Sequence, residues 1–248
     1  MQNDNRNFGS AAPGSAGISA GESRESVPCA WHSRGYLPHF DQSGILQSIT
    51  FRLHDSVPEK LVKEWKRELA IVESGLAGRD AGAPRGAPSE VELRKRIAKY
   101  EDAGHGECWL HDPRIAGLVE TALLHFDNHR YRLIAWCVMP NHVHALIQTW
   151  DRWPLAGVLH SWKSYTANEA NKLLHRTGTF WFREYHDRFI RDENHFAAAV
   201  KYIEQNPVKA GLAKVAAEWK WSSAWDRRLP AGNATTNDSP AGMPALPG

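Results

Sequence analysis

Apolar and polar positions alternate along GILQSITFRLH (44–54), which places Ile45, Gln47, Ile49, Phe51 and Leu53 on one side of a predicted first strand. The period then lengthens. In VPEKLVKEWKRELAIVES, Leu61, Trp65, Leu69 and Val72 share one helical stripe, and in ELRKRIAKYEDA, Leu93, Ile97 and Tyr100 do the same. Between them GLAGRDAGAPRGAPSE reads as a Gly/Pro/Ala linker. Residues 57–104 are therefore expected to form a helical hairpin inserted in the domain. Its charges alternate in sign, as on any solvated helix face, which ranks a DNA-gripping arm below a plain insertion. DPRIAGLVETALLHF (112–126) is helical again, with Asp112 as a possible N-cap, Pro113 in the first turn, and Ile115, Val119, Leu123 and Phe126 on its stripe. RYRLIAWCV and ALIQT, on either side of MPNHVH (139–144), have the branched and aromatic content of strands.

Residues 154–178 give a long helix expected to close at Gly178, and GTFWFREYHDRFIRDE gives an extended segment. NHFAAAVKYIEQN (194–206) gives a last helix expected to stop at Pro207. The order strand, helix, strand, strand, helix, strand, helix predicts an α+β fold. It is a ferredoxin-like βαββαβ antiparallel sheet with helices on one face, an inserted helical hairpin and an extra C-terminal helix bearing a tyrosine. The strand pair joined at MPN should hold the centre of the sheet. Residues 1–30 and 229–248, rich in Gly, Ser, Ala and Asn, are expected to be disordered tails around one domain at 31–228.

Composition narrows the partners only slightly. The chain has 248 residues with 42% hydrophobic and 23% charged content, ordinary values for a soluble domain. A formal charge of +2 says little about a polyanion. Its distribution says more, because residues 159–228 hold twelve Lys/Arg against eight Asp/Glu, a modest basic bias that suits a phosphate backbone. Cys29, Cys108 and Cys137 have no CxxC spacing, which fits a reducing compartment and disfavours a disulfide scaffold or a four-thiolate zinc site. No apolar run reaches the ~20 residues of a membrane span, and the N-terminus lacks an apolar signal core, so a cytoplasmic protein without a membrane partner is expected.

The chemistry is concentrated at MPNHVH. Successive strand side chains point to opposite faces, so His142 and His144 share a face while Val143 and Ala145 take the other. Two imidazoles on one rigid strand are either a metal clamp or hydrogen-bonded core residues. On the last helix Phe196, Val200 and Ile203 form an apolar stripe, and Tyr202 and Asn206, at i and i+4, are expected on a separate polar face with His195. Tyr185 and Tyr165 are the rivals to Tyr202 for any tyrosine chemistry.

HVH after an apolar strand and a tyrosine about sixty residues later in YIEQNP come within an ordered set of framing stretches. These are RGYLPHFD, TFRL, AWCVMPNHVHALI, LHSWKSYTANEANKLL, GTFWFREYHDRFIRDENHF and YIEQNPVKAGL. Taken together, over about residues 34–225, they resemble the IS200-like tyrosine transposases, and more closely their REP-associated branch. These are HUH endonucleases, in which U is a bulky apolar residue, here Val143. The resemblance implies that His142 and His144 ligate a divalent cation, Mg²⁺ or Mn²⁺, that Asn206 takes the third-ligand position, and that Tyr202 is the single nucleophile. It also implies cleavage and rejoining of single-stranded DNA at hairpin-forming, REP-like palindromes through a 5′-phosphotyrosine link, by a monomer or a homodimer.

The ligand types alone also suit zinc or other transition metals, so the cation's identity comes with the resemblance. Lys163, Arg183, Arg188, Arg191 and Lys209 are candidate contacts to the DNA backbone, and Trp181 and Trp162 candidate stacking platforms for unpaired bases. Trp219, Trp221 and Trp225 are expected to cover the C-terminal end of the sheet. Two other readings keep the same frame: a non-cleaving regulator derived from a transposase, which should have lost one of His142, His144 and Tyr202, and a metal-dependent hydrolase using bound water.

Overall fold

A computed structural model of the chain describes residues 30–33, 38–41, 44–76 and 88–226. The two expected tails and the 77–87 linker lie outside the described residues. A short antiparallel ladder that the pattern does not announce comes first, β1 (Ala30–Ser33) with β2 (Pro38–Asp41). β3 (Leu46–Leu53) follows, then α1 (Glu59–Leu76) and α2 (Pro88–Asp102). Val57, Val62, Leu69 and Leu93 are buried together with Trp65, Ile97 and Tyr100 packed on them, so the inserted hairpin has a small apolar core of its own.

α3 (Pro113–His125) begins where its cap predicts: the Asp112 carboxylate accepts from the Arg114 N–H at 2.9 Å, with Pro113 in the first turn. Such a cap stabilises a helix by ~1 kcal/mol. β4 (Tyr131–Val138), β5 (His142–Thr149), α4 (Leu155–Leu173), β6 (Trp181–Phe189), α5 (Glu193–Lys209) and a last turn, α6 (Ser223–Asp226), complete the order.

The main sheet runs β4-β5-β3-β6 with every neighbouring pair antiparallel, which is the ferredoxin-like order counted from β3. Only β5 of the pair joined at MPN is central, and β4 is an edge strand. The crossover through α3 sends the chain to the far edge before it returns beside β3. Strand alternation divides the sheet into two cores. Ile49, Phe51, Leu53, Trp136, Val138, Val143, Ala145 and Ile147 face α3 and α4. Ala135, Cys137, Met139 and Leu146 face the other way, onto Ala199 and Ile203 of α5. Ile203 is 0% exposed, and burying it contributes about 1.5–3 kcal/mol toward holding α5 on that face.

Two helix ends differ from expectation, each because a left-handed residue sets the stop. α4 ends at Leu173 and not at Gly178. His175 adopts φ 49, and the N–H groups of His175 and Arg176 bond back to the carbonyls of Lys172 and Asn171, a Schellman closure. Gly178 lies in the loop beyond. α5 runs through Pro207 to Lys209, since a missing N–H costs one bond but does not forbid another turn. Gly211, at φ 71, ends it in the same way, with Gly211 and Leu212 donating to Val208 and Pro207. The tryptophan-rich exit covers edge strand β4 as expected. Val138 N–H donates to Trp221 O at 2.8 Å, Trp219 Nε1 donates to Val138 O at 3.0 Å, and Cys137 bridges to Ser222. No described helix is long and apolar enough to cross a membrane.

Candidate functional site

The β3–β5 register sets His142 opposite Arg52 and His144 opposite Thr50, with both imidazoles on the face that α5 covers. They are 0% and 3% exposed. Each has one ring nitrogen committed to the protein. His142 Nδ1 lies 2.7 Å from Asn141 Oδ1, an acceptor, so Nδ1 carries the proton. His144 Nδ1 lies 2.8 Å from Thr50 Oγ1, while its Nε2 faces the Asn206 amide nitrogen at 3.1 Å. Both Nε2 atoms then carry lone pairs, that of His144 also accepting from Asn206 Nδ2, and they face each other at 2.9 Å. Asp102, at the C-terminus of α2, completes a cluster of three with its Oδ1 3.7 Å from His142 Nε2. That oxygen is buried with no hydrogen-bond partner, and so is Asn206 Oδ1. Two ring lone pairs and a carboxylate oxygen that face one another this closely need a proton or a cation between them.

Electrostatics favour the cation. Burial lowers the pKa of His142 to about 3, and burial with the nearby His142, His186 and Lys209 takes His144 well below its usual range. Neither ring readily takes the proton that would reconcile them. This carries a stability consequence for the protein in EDTA. The folded-state pKa lies below the unfolded 6.5, so the unfolded chain binds more protons, and stability falls as pH drops from 6.5 toward 3. The loss reaches at most about 1.4 kcal/mol per pH unit for each histidine. Chemical denaturation across that window should show the slope flatten in the variant His142→Gln.

Tyr202 packs against this cluster, its ring centroid 5.3 Å from that of His144 in an edge-to-face arrangement. Lys209, two turns further along α5, holds its Nζ 4.4 Å over the Tyr202 ring. Burial, and then the charges of Asp102 and Glu101, push the phenol up to about 12. Asn206 is 0% exposed and lies on the sheet side of α5 with Ala199 and Ile203, not on a separate polar face.

The structure places the other predicted residues unevenly. Tyr185 and Tyr165 belong to the core on the opposite side of the sheet. Trp181, expected to stack on bases, is a core residue instead: it is 4% exposed, lies edge-on to Phe51 and donates from Nε1 to Thr166 Oγ1 at 2.8 Å. Trp162 is buried in the same core. Lys163, expected on phosphates, donates to the carbonyls of Phe182 at 2.6 Å and Arg183 at 2.8 Å, and burial lowers its pKa to about 8. Arg183, Arg188, Arg191 and Lys209 are exposed. Arg188 pairs with Ser48, two residues from Thr50, and so shares the histidine face.

Three residues at the site go unannounced in the sequence reading: Thr50, Asp102 and Asn141. Asn141 accepts from His142 through Oδ1 and donates through Nδ2 to the carbonyls of Glu101 at 3.1 Å and His105 at 2.9 Å, so one amide ties the histidine to the end of α2. Asn141→Ala should lower divalent-cation affinity by about 10–100-fold through loss of ring orientation, and cost about 1–3 kcal/mol of stability. Titration calorimetry and urea denaturation on the same preparation check both.

Residues 116–206 match the family model described as "Transposase IS200 like". A curated relative, a putative REP-associated tyrosine transposase of Haemophilus influenzae, is 25% identical over 107 residues, 39% of this chain. That alignment spans 61% of the relative's length. A solved structure titled as a REP-associated tyrosine transposase bound to a REP hairpin superposes with a TM-score of 0.44 at 15% identity, covering 88% of this chain and 99% of that one. His142, His144, Tyr202 and Asn206 all fall inside the segment, residues 116–206, that is similar to the IS200-like transposases.

Proposed function

We propose that the chain is a metal-dependent single-strand DNA endonuclease and strand-transferase that cuts and rejoins DNA at hairpin-forming repeats, with Tyr202 as nucleophile. One observation carries the reading: two imidazole nitrogens with facing lone pairs, a half-buried carboxylate and a tyrosine ring meet at one face of the sheet. The family match supports a transposase, and the name of the curated relative supports REP-like DNA as the substrate class. The functional domain is taken as residues 31–228.

The donor set fits a divalent cation, because Asp102 Oδ1 and Asn206 Oδ1 are buried oxygens without partners beside two deprotonated ring nitrogens. Mg²⁺ or Mn²⁺ held there supplies Lewis-acid polarisation of a phosphate and offsets its charge. The chain's own groups do the rest. His142 and His144 are held neutral, so they keep their lone pairs at neutral pH. Tyr202 attacks phosphorus. The bond to its oxygen forms as the bond to the 3′ oxygen breaks, leaving a 5′-phosphotyrosine and a free 3′-OH. One ester replaces another, so rejoining needs no ATP. A phenol held at about 12 is a weak nucleophile, and it needs positive charge nearby to release its proton. Lys209, over the ring, is one such charge. Exposed Arg183, Arg188 and Arg191 would grip phosphates, making binding salt-dependent.

The test is incubation with a hairpin oligonucleotide labelled on the 3′ side of the cut. A labelled, SDS-stable protein band that requires Mg²⁺ or Mn²⁺ is expected. Hairpin binding without any band would favour the non-cleaving regulator, and cutting without any band would favour a metal-dependent hydrolase.

A further inference from the structure

We propose that the unpaired DNA flanking the cut leaves the histidine cluster over the half of the sheet that α5 leaves open, with His186 and Arg188 of β6 as its contacts. This rests on the DNA-cutting reading above and deepens it by giving the strand a path.

The strand register lays that path out. Thr50 pairs with His144 on one side and with His186 on the other, so the three side chains form one row across β5, β3 and β6. Two strand spacings make the row about 10 Å long. Thr50 Oγ1 lies 2.8 Å from His144 Nδ1. After burial and His142, His186 is the next group that lowers the pKa of His144, which puts its ring within electrostatic reach of the cluster. Two residues along β3, Ser48 pairs with Arg188.

Other directions are closed. Through Ala199 and Ile203, α5 packs on Ala135, Cys137 and Leu146 and covers β4 and β5. Past His142 the end of α2 is pinned by the buried Arg52–Glu101 ion pair at 3.3 Å. Over β3 and β6 the same face stays accessible: Ser48, Thr50 and His186 are half-buried and Arg188 is exposed.

Charge points the same way. Glu101 and Asp102, at the end of α2, repel a phosphate backbone. At the other end stand the exposed Arg188 and Arg191, with half-buried His195 beside them. The Arg191 N–H donates to His195 Nδ1 at 3.2 Å, and burial followed by the charge of Arg188 lowers the pKa of His195. Arg188 therefore lies close to the first turn of α5. The nearby Asp192 carboxylate is engaged as the cap of that helix, accepting from the His195 N–H at 2.8 Å. A strand running this way passes from carboxylates to guanidinium groups, with His186 midway.

Anisotropy titration of a hairpin carrying a single-stranded flank, in the non-cutting Tyr202→Phe chain with Mn²⁺ present, tests the path. Neutral methylphosphonate linkages are placed one at a time along the flank. Arg188→Ala should weaken the all-phosphate hairpin by about tenfold and lower the slope of log affinity against log salt by about one. It should also erase the methylphosphonate penalty at one linkage while leaving the others unchanged. His186→Ala should weaken hairpin binding by about threefold or more with Mn²⁺ affinity, measured by calorimetry without DNA, unchanged. His186→Asn, which keeps an N–H donor, should recover most of that loss. Methylphosphonate penalties identical at every linkage with Arg188 present or replaced would overturn the path. So would lost Mn²⁺ affinity in His186→Ala, which would put that ring in the cation site. The expected pattern in a chain whose Tyr202 forms no covalent adduct would instead overturn the nucleophile and leave the path standing.

Discussion

Tyr202→Phe should lose cleavage and covalent adduct by at least about 10³-fold while still binding hairpin DNA with near-normal affinity. The substitution removes one oxygen from a ring whose packing against His144 and the α5-side core stays in place, so the fold has no reason to change. Loss of a nucleophile is among the largest single effects on a catalysed rate. Gel shift on the unreacted hairpin and a denaturing gel on the reaction separate binding from chemistry. A variant that still cuts would move the chemistry to metal-bound water, because Tyr185 and Tyr165 lie in the core on the far side of the sheet.

His142→Ala should abolish both cleavage and the response to added Mn²⁺, with cation affinity reduced by about 10²-fold or more. The ring is fully buried and contributes the Nε2 that faces His144 at 2.9 Å. Its removal also leaves Asn141 Oδ1 without the N–H it accepts, so some loss of stability accompanies the loss of binding. His142→Gln, closer in volume, guards against mistaking unfolding for lost ligation. Either variant cutting DNA in EDTA at the normal rate would contradict a metal role for the strand pair.

Much of this centre was legible in local pattern. Period two puts His142 and His144 on one face whatever the rest of the chain does, and the strand and helix order implies the sheet that carries them. The burial of Asn206 was legible but misread: seven residues from Ala199, it lies within about 20° of it on an ideal helix, so it had to share the sheet side. Trp181 and Lys163 show where composition misleads. An aromatic or a lysine near a nucleic-acid site looks like a contact until the strand register assigns it to the core or to its neighbours' carbonyls. Asp102 was not legible at all. In ELRKRIAKYEDA it is one charge among several of alternating sign, and only the fold of the insertion onto β3 and β5, through Arg52, Glu101 and Asn141, distinguishes it from a solvated helix end. A carboxylate brought in by tertiary packing has no periodic signature.

The most direct measurement is mass mapping of the trapped protein–DNA adduct after nuclease and protease digestion. The expected result is a nucleotide phosphate on the peptide containing Tyr202, formed only when Mg²⁺ or Mn²⁺ is present. A modified Tyr185 or Tyr165, or unmodified tyrosines in a reaction that has cut its DNA, would contradict the assignment.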